Sequence, residues 1–238
     1  MLFVKNVSKK IAESQILTAI NLEVKEGELV AIFGPNGCGK TTLLNIIAGM
    51  DEDYSGKVEI NSKTPLEAKS GFVFQNFHES LLPWFTVEEN IALVVGSNDS
   101  HITEKWMEKV GVAHLKNSYP YQLSGGQKQL TAIARAYSTE PEILLFDEPF
   151  SALDYSITLK MQEQVQKLWI ETKKTTIFVS HDPEEAIFLA DRVIILSQKP
   201  GRIKQEIKIN LPRPRNAKTR LSKKFFEYRN KVVKAFTK

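Results

Sequence analysis

The feature that most constrains this chain is a short apolar run that leads into a glycine-rich loop and then into a helical pattern. The apolar run covers residues 29–33, and apolar residues recur at helical spacing over residues 43–48. The loop between them reads Gly34, Pro35, Asn36, Gly37, Cys38, Gly39, Lys40, Thr41 and Thr42. A strand before G-x4-G-K-T and a helix after it form the context that a P-loop requires. An ordinary glycine turn is the alternative interpretation.

The P-loop interpretation gives the residues of this loop a chemical task. Glycines let the backbone turn so that its N–H groups surround phosphate oxygens, and the start of the next helix adds positive potential. Lys40 would reach the β- and γ-phosphates, and the Thr41 hydroxyl would ligate Mg²⁺. We therefore expect residues 34–42 to bind a nucleoside triphosphate. Cys38 occupies a variable position of the pattern and is interpreted as a small filler, with a redox switch as the alternative.

Three further apolar runs, at residues 71–74, 143–146 and 176–179, each end at polar residues that can take part in chemistry. The polar residues that follow them are Gln75, the pair Asp147 and Glu148, and His181 after Ser180. Ligands of open α/β sheets bind outside the carboxyl ends of the strands. These side chains and the P-loop are therefore predicted to meet at one site.

The acidic pair matches what phosphoryl transfer to water requires. Such a transfer needs a metal ion that spreads negative charge and a carboxylate that orients and deprotonates the attacking water. Asp147 is predicted to hold Mg²⁺, usually through water, and Glu148 to act as the base. An acidic pair after a strand can instead mark a helix N-cap. His181 is predicted to hydrogen-bond the γ-phosphate, and an ordinary surface or core histidine is the alternative.

A second glycine-containing helix start lies in the middle of the chain. It reads Ser124, Gly125, Gly126 and Gln127, and a helical pattern follows it. A hydroxyl and exposed N–H groups at a helix start form an anion site, although Ser124 can equally be a simple N-cap. One small domain cannot easily enclose one phosphate chain twice. This second site therefore suggests that another copy of the chain closes over the nucleotide.

Composition argues against several other classes of protein. No apolar run exceeds five residues, whereas a membrane-spanning helix needs about 20 residues and the apolar part of a signal peptide at least about 7. The single cysteine and the four scattered histidines leave no pair for a disulfide and no spacing for a zinc site. We therefore expect a globular protein of the cytosol without a structural transition metal.

Positive charge is concentrated near the C-terminus. Residues 199–238 contain 14 Lys and Arg but only two acidic residues, so they carry +12 while residues 1–198 carry −8. This stretch contains a Pro-Arg-Pro-Arg linker at residues 212–215. Its amphipathic helical pattern consists of Leu221, Phe225, Tyr228, Val232 and Phe236. Such a tail can pack on its own domain, contact another subunit or contact anionic lipid, and packing on its own domain is favoured.

With these motifs in this order, the chain resembles the nucleotide-binding subunit of an ABC transporter over about residues 1–210. The motifs that carry the resemblance are the P-loop at residues 34–41, Gln75 as the Q-loop, residues 123–127 as the LSGGQ signature, residues 143–148 as Walker B, residues 151–154 as the D-loop and His181 as the switch histidine. The resemblance implies an α/β fold: a P-loop NTPase core with a mixed sheet, an antiparallel β layer and a helical subdomain inserted at about residues 76–140. Residues 211–238 would then form a basic linker and a C-terminal amphipathic helix.

In that family, two subunits pair head to tail, so that each ATP lies between the P-loop of one subunit and the signature of the other. The resemblance implies that this chain hydrolyses ATP as such a homodimer, at the cytoplasmic face of the cell membrane. Closure of the homodimer on ATP and its opening after hydrolysis would drive an integral membrane permease. A solute-binding protein would be an indirect partner. The resemblance also adds Gln75 to the catalytic residues Glu148 and His181, and to the Mg²⁺ ligands Thr41 and Asp147.

Within the family, residues 82–91, residues 199–203 and the Pro-Arg-Pro-Arg linker look like the nitrate/sulfonate/taurine importer group. The solute implied is a small anion of that kind or a pyrimidine vitamin precursor. The rival interpretation is a soluble ABC ATPase that acts on nucleic acid or ribosomes, which the basic tail would support. Soluble relatives usually carry two cassettes or a long coiled-coil insertion, so nucleic acid is not the expected partner.

Two positions depart from the family pattern. Ile11 stands where the family usually offers an aromatic ring to stack on adenine, and no aromatic residue lies between Phe3 and Phe33. Gln129 and Leu130 stand where the family commonly has Gln-Arg, which removes a cation from the signature helix.

Overall fold

The structure, a computed structural model, describes residues 1–75, 80–95 and 100–237. Its strands are β1 (Leu2–Ile11), β2 (Ser14–Val24), β3 (Leu29–Phe33), β4 (Ser55–Ile60), β5 (Ser70–Val73), β6 (Ile143–Asp147), β7 (Thr176–Ser180), β8 (Arg192–Leu196) and β9 (Ile203–Lys208). Its helices include α1 (Lys40–Ile47), α2 (Val87–Ala92), α3 (Ser100–Val110), α4 (Gly125–Ser138), α5 (Tyr155–Thr172), α6 (Pro183–Leu189), α7 (Ala217–Arg220) and α8 (Lys223–Thr237).

The chain divides into two compact units. The first unit combines Met1–Ala68 with Lys173–Lys238, and the second is Lys69–Thr172. The domain bounds expected from the sequence, residues 1–210 with an insertion at about 76–140, stay a prediction. Residue 76, the first of that insertion, lies outside the described residues.

The first unit contains an antiparallel sheet near the N-terminus. Its strand order is β2-β1-β4, and β1 pairs with both neighbours in antiparallel register. Leu2, Val4 and Val7 of β1 are buried while residues between them are more exposed, which is the alternation of a sheet with one face against a core. The antiparallel β layer predicted at this place is confirmed.

The first unit also contains a mixed sheet in which β3 is flanked by β7 and β8. Both pairs are parallel, and β9 runs antiparallel to β8. Every residue of β3 and of β7 is buried, as expected for parallel strands that are covered on both faces. The apolar runs at residues 29–33 and 176–179 correspond to β3 and β7, whereas β9 was not predicted, because its residues between Ile203 and Ile207 are polar or charged.

The C-terminal helix α8 packs within the first unit, on α6, β8 and β9. Phe225 and Val232 are buried, and the ring of Phe236 meets the ring of Phe33 edge-on at 5.3 Å. Packing of the tail on its own domain, the favoured prediction, is thereby confirmed. Leu221 does not belong to the apolar stripe: it precedes α8 and is 79% exposed.

The second unit pairs β5 with β6 in parallel and builds a group of helices around α4. Helix α4 packs against α2 and α3, and Trp106 lies 4.7 Å from Tyr137 between ring centroids. Gly71 lets β5 approach α4 closely, since a Cβ there would lie 2.5 Å from the carbonyl oxygen of Ala136. In the described ranges, no helix is both long enough and apolar enough to cross a bilayer.

Candidate functional site

The glycine-rich loop leaves β3 at Phe33 and enters α1 at Lys40, as the sequence predicted. Gly37 and Gly39 have φ values of +75° and +100°, a left-handed region that L side chains rarely adopt. Gly39 is the N-cap of α1, so the helix begins with a residue that has no side chain to offer. The start of α1 is therefore lined by backbone.

Lys40 lies inside the loop rather than in solvent. Its side chain is only 5% exposed, and Nζ donates to the carbonyl oxygens of Gly34 at 3.0 Å and Pro35 at 3.1 Å. A buried ammonium inside this loop is well placed to form charge-assisted hydrogen bonds with an anion. Thr41, the next residue, is exposed at the start of α1. Both side chains therefore lie at the start of α1, and their binding of phosphate and Mg²⁺ stays a prediction.

Three glycines let neighbouring segments press against this loop. A Cβ on Gly34 would lie 2.9 Å from the Sγ of Cys38, and a Cβ on Gly39 would lie 2.6 Å from Cδ2 of Leu17. A Cβ on Gly201 would lie 2.2 Å from the carbonyl oxygen of Cys38. Cys38 itself is 1% exposed, as its interpretation as a small filler requires. Gly201 fixes the segment after β8 against the loop, a contact that the sequence alone did not reveal.

His181 follows the strand beside the glycine-rich loop. Phe33 pairs with Ser180, so the parallel strands β3 and β7 end at the same edge of the sheet. His181 is exposed there. The first unit thus brings the P-loop and His181 to one edge, as predicted.

The second unit brings the other three strand-end residues together. Val73 pairs with Phe146, so Gln75 and the acidic pair leave β5 and β6 at the same edge. The Nε2 of Gln75 donates to a carboxylate oxygen of Glu148 at 3.4 Å. Asp147 is 4% exposed, and Glu148 is more accessible. A single site that joins all four strand ends stays a prediction.

Glu148 has a backbone conformation that glutamate rarely adopts. Its φ is +43°, in the left-handed region, where strain of this kind often accompanies a functional role. Its carbonyl accepts hydrogen bonds from the backbone N–H and the hydroxyl of Ser151, at 3.2 and 3.0 Å. The next helix, α5, begins only at Tyr155. The interpretation of the acidic pair as a helix N-cap is therefore wrong.

The second predicted anion site is a helix start that caps itself. Ser124 is the N-cap of α4, and its hydroxyl accepts a hydrogen bond from the backbone N–H of Gln127 at 3.3 Å. The side chain of Gln127 accepts in return from the backbone N–H of Ser124 at 2.8 Å, which completes a capping box. Ser124 is exposed, and the first turn of α4 contains no acidic residue. Capping and anion binding remain compatible here.

The two departures from the family pattern differ in burial: Ile11 is exposed, whereas Gln129 is buried. Ile11 is 54% exposed at the end of β1. Gln129 is wholly buried in α4, and in the part of the chain that the structure describes neither polar atom of its amide has a hydrogen-bond partner. Leu130 is partly exposed beside it.

The oxygen donors of the site suit Mg²⁺. Within the described residues there is no group of three or more His, Cys, Asp or Glu able to hold a metal by themselves. Mg²⁺ does not need one, because it commonly takes one or two protein oxygens and completes its octahedron with phosphate oxygens and water. The Thr41 hydroxyl and the Asp147 carboxylate are hard oxygen donors of this kind, so the residues present fit the ion.

The arginines of the C-terminal linker are engaged inside the first unit, which the sequence did not reveal. Arg215 is 2% exposed, and its guanidinium donates to backbone carbonyls at the end of α6. Burial, together with the charge of Arg213, lowers the pKa of Arg215 to about 9. The spacing of two prolines and two arginines gave no sign that one of the arginines would be buried.

Comparison with known proteins places these features in a family. Residues 17–151 match the family model described as ABC transporter. The aliphatic sulfonates import ATP-binding protein SsuB of Bacillus cereus is 43% identical over 237 residues, covering 98% of this chain and 92% of that protein. The uncharacterized ABC transporter ATP-binding protein MJ0412 of Methanocaldococcus jannaschii is 44% identical, covering 91% of this chain and 82% of that protein.

Solved structures agree with this assignment. The ATP-binding cassette MJ0796, in a dimeric post-hydrolysis state bound to ADP and Pi, superposes with a TM-score of 0.77 at 34% identity. The match covers 89% of this chain and 100% of the cassette. The cbiO1 protein of Clostridium perfringens, part of the transporter complex cbiONQ, also gives a TM-score of 0.77, at 27% identity, covering 87% of this chain and 88% of its own. The predicted fold class is therefore confirmed.

Proposed function

This chain belongs to the ABC transporter family of ATP-binding proteins, and on that basis we propose that it drives the import of aliphatic sulfonates through a separate membrane permease. The chain binds and hydrolyses ATP, as the ATP-binding proteins of ABC transporters do. The single observation that carries the choice of solute is the 43% identity to an aliphatic sulfonate import protein over 98% of the chain.

The P-loop is the proposed phosphate cradle. Backbone N–H groups of residues 36–42 surround the phosphate oxygens, and the buried ammonium of Lys40 turns from the carbonyl oxygens of Gly34 and Pro35 to the β- and γ-phosphates. The dipole of α1 points its positive end at the same anion. Binding thus uses groups that the loop already presents.

Hydrolysis is an attack of water on the γ-phosphorus. Glu148 takes the proton from this water, the new phosphorus–oxygen bond forms, and the bond to the bridging oxygen of ADP breaks, which leaves ADP and inorganic phosphate. Gln75, which donates to the Glu148 carboxylate, orients that base. His181 donates to an oxygen of the γ-phosphate. Mg²⁺, when bound, neutralises charge on the phosphate oxygens, and Thr41, Asp147 and Gln75 are its proposed protein ligands.

A second copy of the chain is the proposed partner at the nucleotide. The start of α4, with Ser124, Gly125, Gly126 and Gln127, offers a hydroxyl and N–H groups, and its first turn contains no acidic residue. In a head-to-tail homodimer, this helix start contacts the ATP held by the P-loop of the other copy. Closure on ATP and opening after hydrolysis then move the permease subunits, with the homodimer peripheral at the cytoplasmic face of the membrane and a solute-binding protein acting indirectly.

The rival interpretation, a soluble ATPase acting on nucleic acid, loses its main support. It rested on the basic tail, but Arg215 is buried and α8 packs on its own unit. The similarity to an import protein extends over the tail as well, since it covers 98% of the chain. The importer function is therefore the one the observations favour.

The direct test of the solute is growth. A strain of the source organism that lacks this gene should grow poorly when an aliphatic sulfonate is its only sulfur source and normally on sulfate. The wild-type gene should restore growth, and a Glu148→Gln gene should not. Normal growth of the deletion strain on several aliphatic sulfonates, together with a defect on nitrate or on a pyrimidine vitamin precursor, would contradict the proposed solute and leave the ATPase function intact.

A further inference from the structure

Four arginines of the C-terminal segment contact one short helix, α6. They are Arg213, Arg215, Arg220 and Arg229. Two of them belong to the Pro-Arg-Pro-Arg linker, a motif to which nucleotide binding gives no task. The helix that they contact, α6, begins two residues after His181. This arrangement connects the tail of the chain to a residue of the proposed catalytic site.

Arg215 binds the carboxyl end of α6 as a helix cap. Its Nη1 donates to the carbonyl oxygens of Ile187 at 2.8 Å, Phe188 at 3.1 Å and Ala190 at 2.7 Å. The last carbonyls of a helix have no partner inside it, and a cation there also complements the helix dipole. On the other side, Nη2 donates to Leu211 at 3.3 Å. Arg215 thereby ties the end of α6 to the segment that follows β9.

The other three arginines contact α6 along its length and at its end. Arg213 donates to the carbonyl oxygen of Leu189 and forms an ion pair with Asp191 at 2.8 Å. The guanidinium of Arg220 lies 3.7 Å from the centroid of the Phe188 ring. Arg229 of α8 pairs with Glu184, in the first turn of α6, at 2.9 Å. Both ends of the helix are therefore held by the tail.

The start of α6 is connected by short hydrogen bonds to the two residues that flank His181, Ser180 and Asp182. The hydroxyl of Ser180 donates to the carboxylate of Glu185 at 2.7 Å and accepts from the backbone N–H of Asp182 at 2.9 Å. Asp182 in turn caps α6, since its carboxylate accepts from the N–H of Glu184 at 2.8 Å. His181 lies between Ser180 and Asp182. A shift of α6 therefore moves the backbone on the C-terminal side of His181.

We propose that the C-terminal arginines, and Arg215 above all, are positioning residues for ATP hydrolysis: they hold α6 so that His181 meets the γ-phosphate. This inference rests on the role of His181 in the proposed function. It gives the Pro-Arg-Pro-Arg linker a task in turnover rather than in nucleotide binding. A displacement of about 1 Å at a catalytic group can reduce a rate by up to about 100-fold, so a modest loosening of α6 is enough to be measured.

The test is a double-mutant cycle on the full chain with Arg215→Met, His181→Ala and the two combined. Arg215→Met should lower kcat by about tenfold and leave the Kd for ATP unchanged within about twofold. If Arg215 acts through His181, adding Arg215→Met to His181→Ala lowers kcat no further. Hydrogen exchange at the backbone amides of residues 184–190 should be faster in Arg215→Met. Arg215→Lys, with its charge but without the planar fork, should give an intermediate kcat.

A surface variant keeps the proposal testable if Arg215→Met does not fold. The double variant Arg220→Ala/Arg229→Ala removes two more accessible contacts with α6 and should lower kcat by about threefold, again without effect in the His181→Ala background. Lys231→Ala, which removes an exposed cation of α8 beside Tyr228, is the matched control and should leave kcat unchanged.

Two results would overturn the proposal, and they can be told apart. If kcat losses at Arg215 and His181 multiply, or if the Kd for ATP changes as much as kcat, the arginines support the fold in general and do not position His181. If His181→Ala hydrolyses ATP at the wild-type rate, the role of His181 in the proposed function fails, and the positioning role fails with it.

Discussion

The two helices assigned to phosphate, α1 and α4, begin in opposite ways. The N-cap of α1 is Gly39, which has no side chain, and the first helical residue, Lys40, is buried and donates to carbonyl oxygens of the loop. Helix α4 begins at Ser124, whose hydroxyl and partner Gln127 already satisfy two N–H groups of the helix start. The start of α1 thus has no side-chain cap, whereas the start of α4 is capped by its own side chains.

Two other helices, α2 and α6, begin with acidic residues that α1 and α4 lack. The first turn of α2 contains Glu88 and Glu89, and that of α6 contains Glu184 and Glu185. Carboxylates there neutralise the positive end of the helix dipole and would repel a phosphate. Neither α1 nor α4 has an acidic residue in its first turn. The self-capped helix start of α4 therefore still offers its positive end to an anion.

The largest effect on ATP hydrolysis is expected from a substitution of the proposed base, Glu148, which belongs to neither helix start. Glu148→Gln should reduce ATP hydrolysis by about 1,000-fold, because the base is lost while every phosphate contact of α1 and α4 remains. Affinity for ATP should be retained, and dimers should accumulate with ATP. The rate of hydrolysis is measured by the release of phosphate, and the affinity for ATP is measured by equilibrium dialysis. Wild-type turnover in this variant would show that the base lies elsewhere.

The next largest effect is expected at the start of α1, where Lys40 is assigned to the phosphates. Lys40→Ala should weaken ATP binding by roughly 10- to 100-fold, since one charge-assisted contact to the phosphates is lost. Lys25→Ala, an exposed cation in the turn before β3, should leave the affinity unchanged. Titration calorimetry with ATP measures both. Equal affinities for the wild type and Lys40→Ala would contradict the assignment of this lysine to the phosphates.

A carboxylate introduced into the first turn of α4 should affect helix stability and anion binding in opposite directions, so it distinguishes the two roles of this helix start. Gly125→Asp should keep or slightly raise the free energy of unfolding, because an acidic first turn suits the helix dipole. The same carboxylate should lower ATP hydrolysis at least about tenfold by repelling the γ-phosphate held by the other copy. Gly125→Asn, nearly the same in shape but neutral, is the matched control. If both variants hydrolyse ATP equally well, α4 does not approach the phosphates.

The smallest effect is expected from removal of the N-cap hydroxyl in each of two capping boxes, those of α4 and α2. Ser124→Ala at α4 and Thr86→Ala at α2 should each lower the free energy of unfolding by about 1 kcal/mol, because each removes an N-cap hydroxyl. Only Ser124→Ala should also slow ATP hydrolysis. Urea denaturation gives the stability, and phosphate release gives the rate. A similar loss of rate in both variants would assign the effect of Ser124 to stability alone.

The sequence predicted much of this fold because the pattern of each element is local. The buried strands β3 and β7 are continuous apolar runs, and the glycine-rich loop has a spacing that few other structures require. Strand β9 was missed, since its exposed edge position puts Lys204, Gln205 and Glu206 where apolar residues would have marked a strand. Long-range pairing with β8 determines that strand, and no local pattern records it.

The contacts of the site were predicted less completely than its residues. The sequence gave the residue types at the strand ends, but not that Glu148 adopts φ of +43° or that Gly201 presses against Cys38. Arg215 was assigned to a basic linker, and the sequence gave no sign of its burial, because the carbonyls to which its Nη1 donates lie 25 to 28 residues earlier in the chain. Such contacts depend on tertiary packing.

One measurement tests the central claim, that each ATP is held by α1 of one copy and α4 of another. Lys40→Ala and Gly125→Asp chains are each impaired alone, because every site in either homodimer lacks one of its two helix starts. A mixed dimer has one site with both helix starts intact, so mixing the two impaired proteins should raise ATP hydrolysis well above that of either protein alone. A mixture that hydrolyses ATP no faster than its separate components would contradict the account.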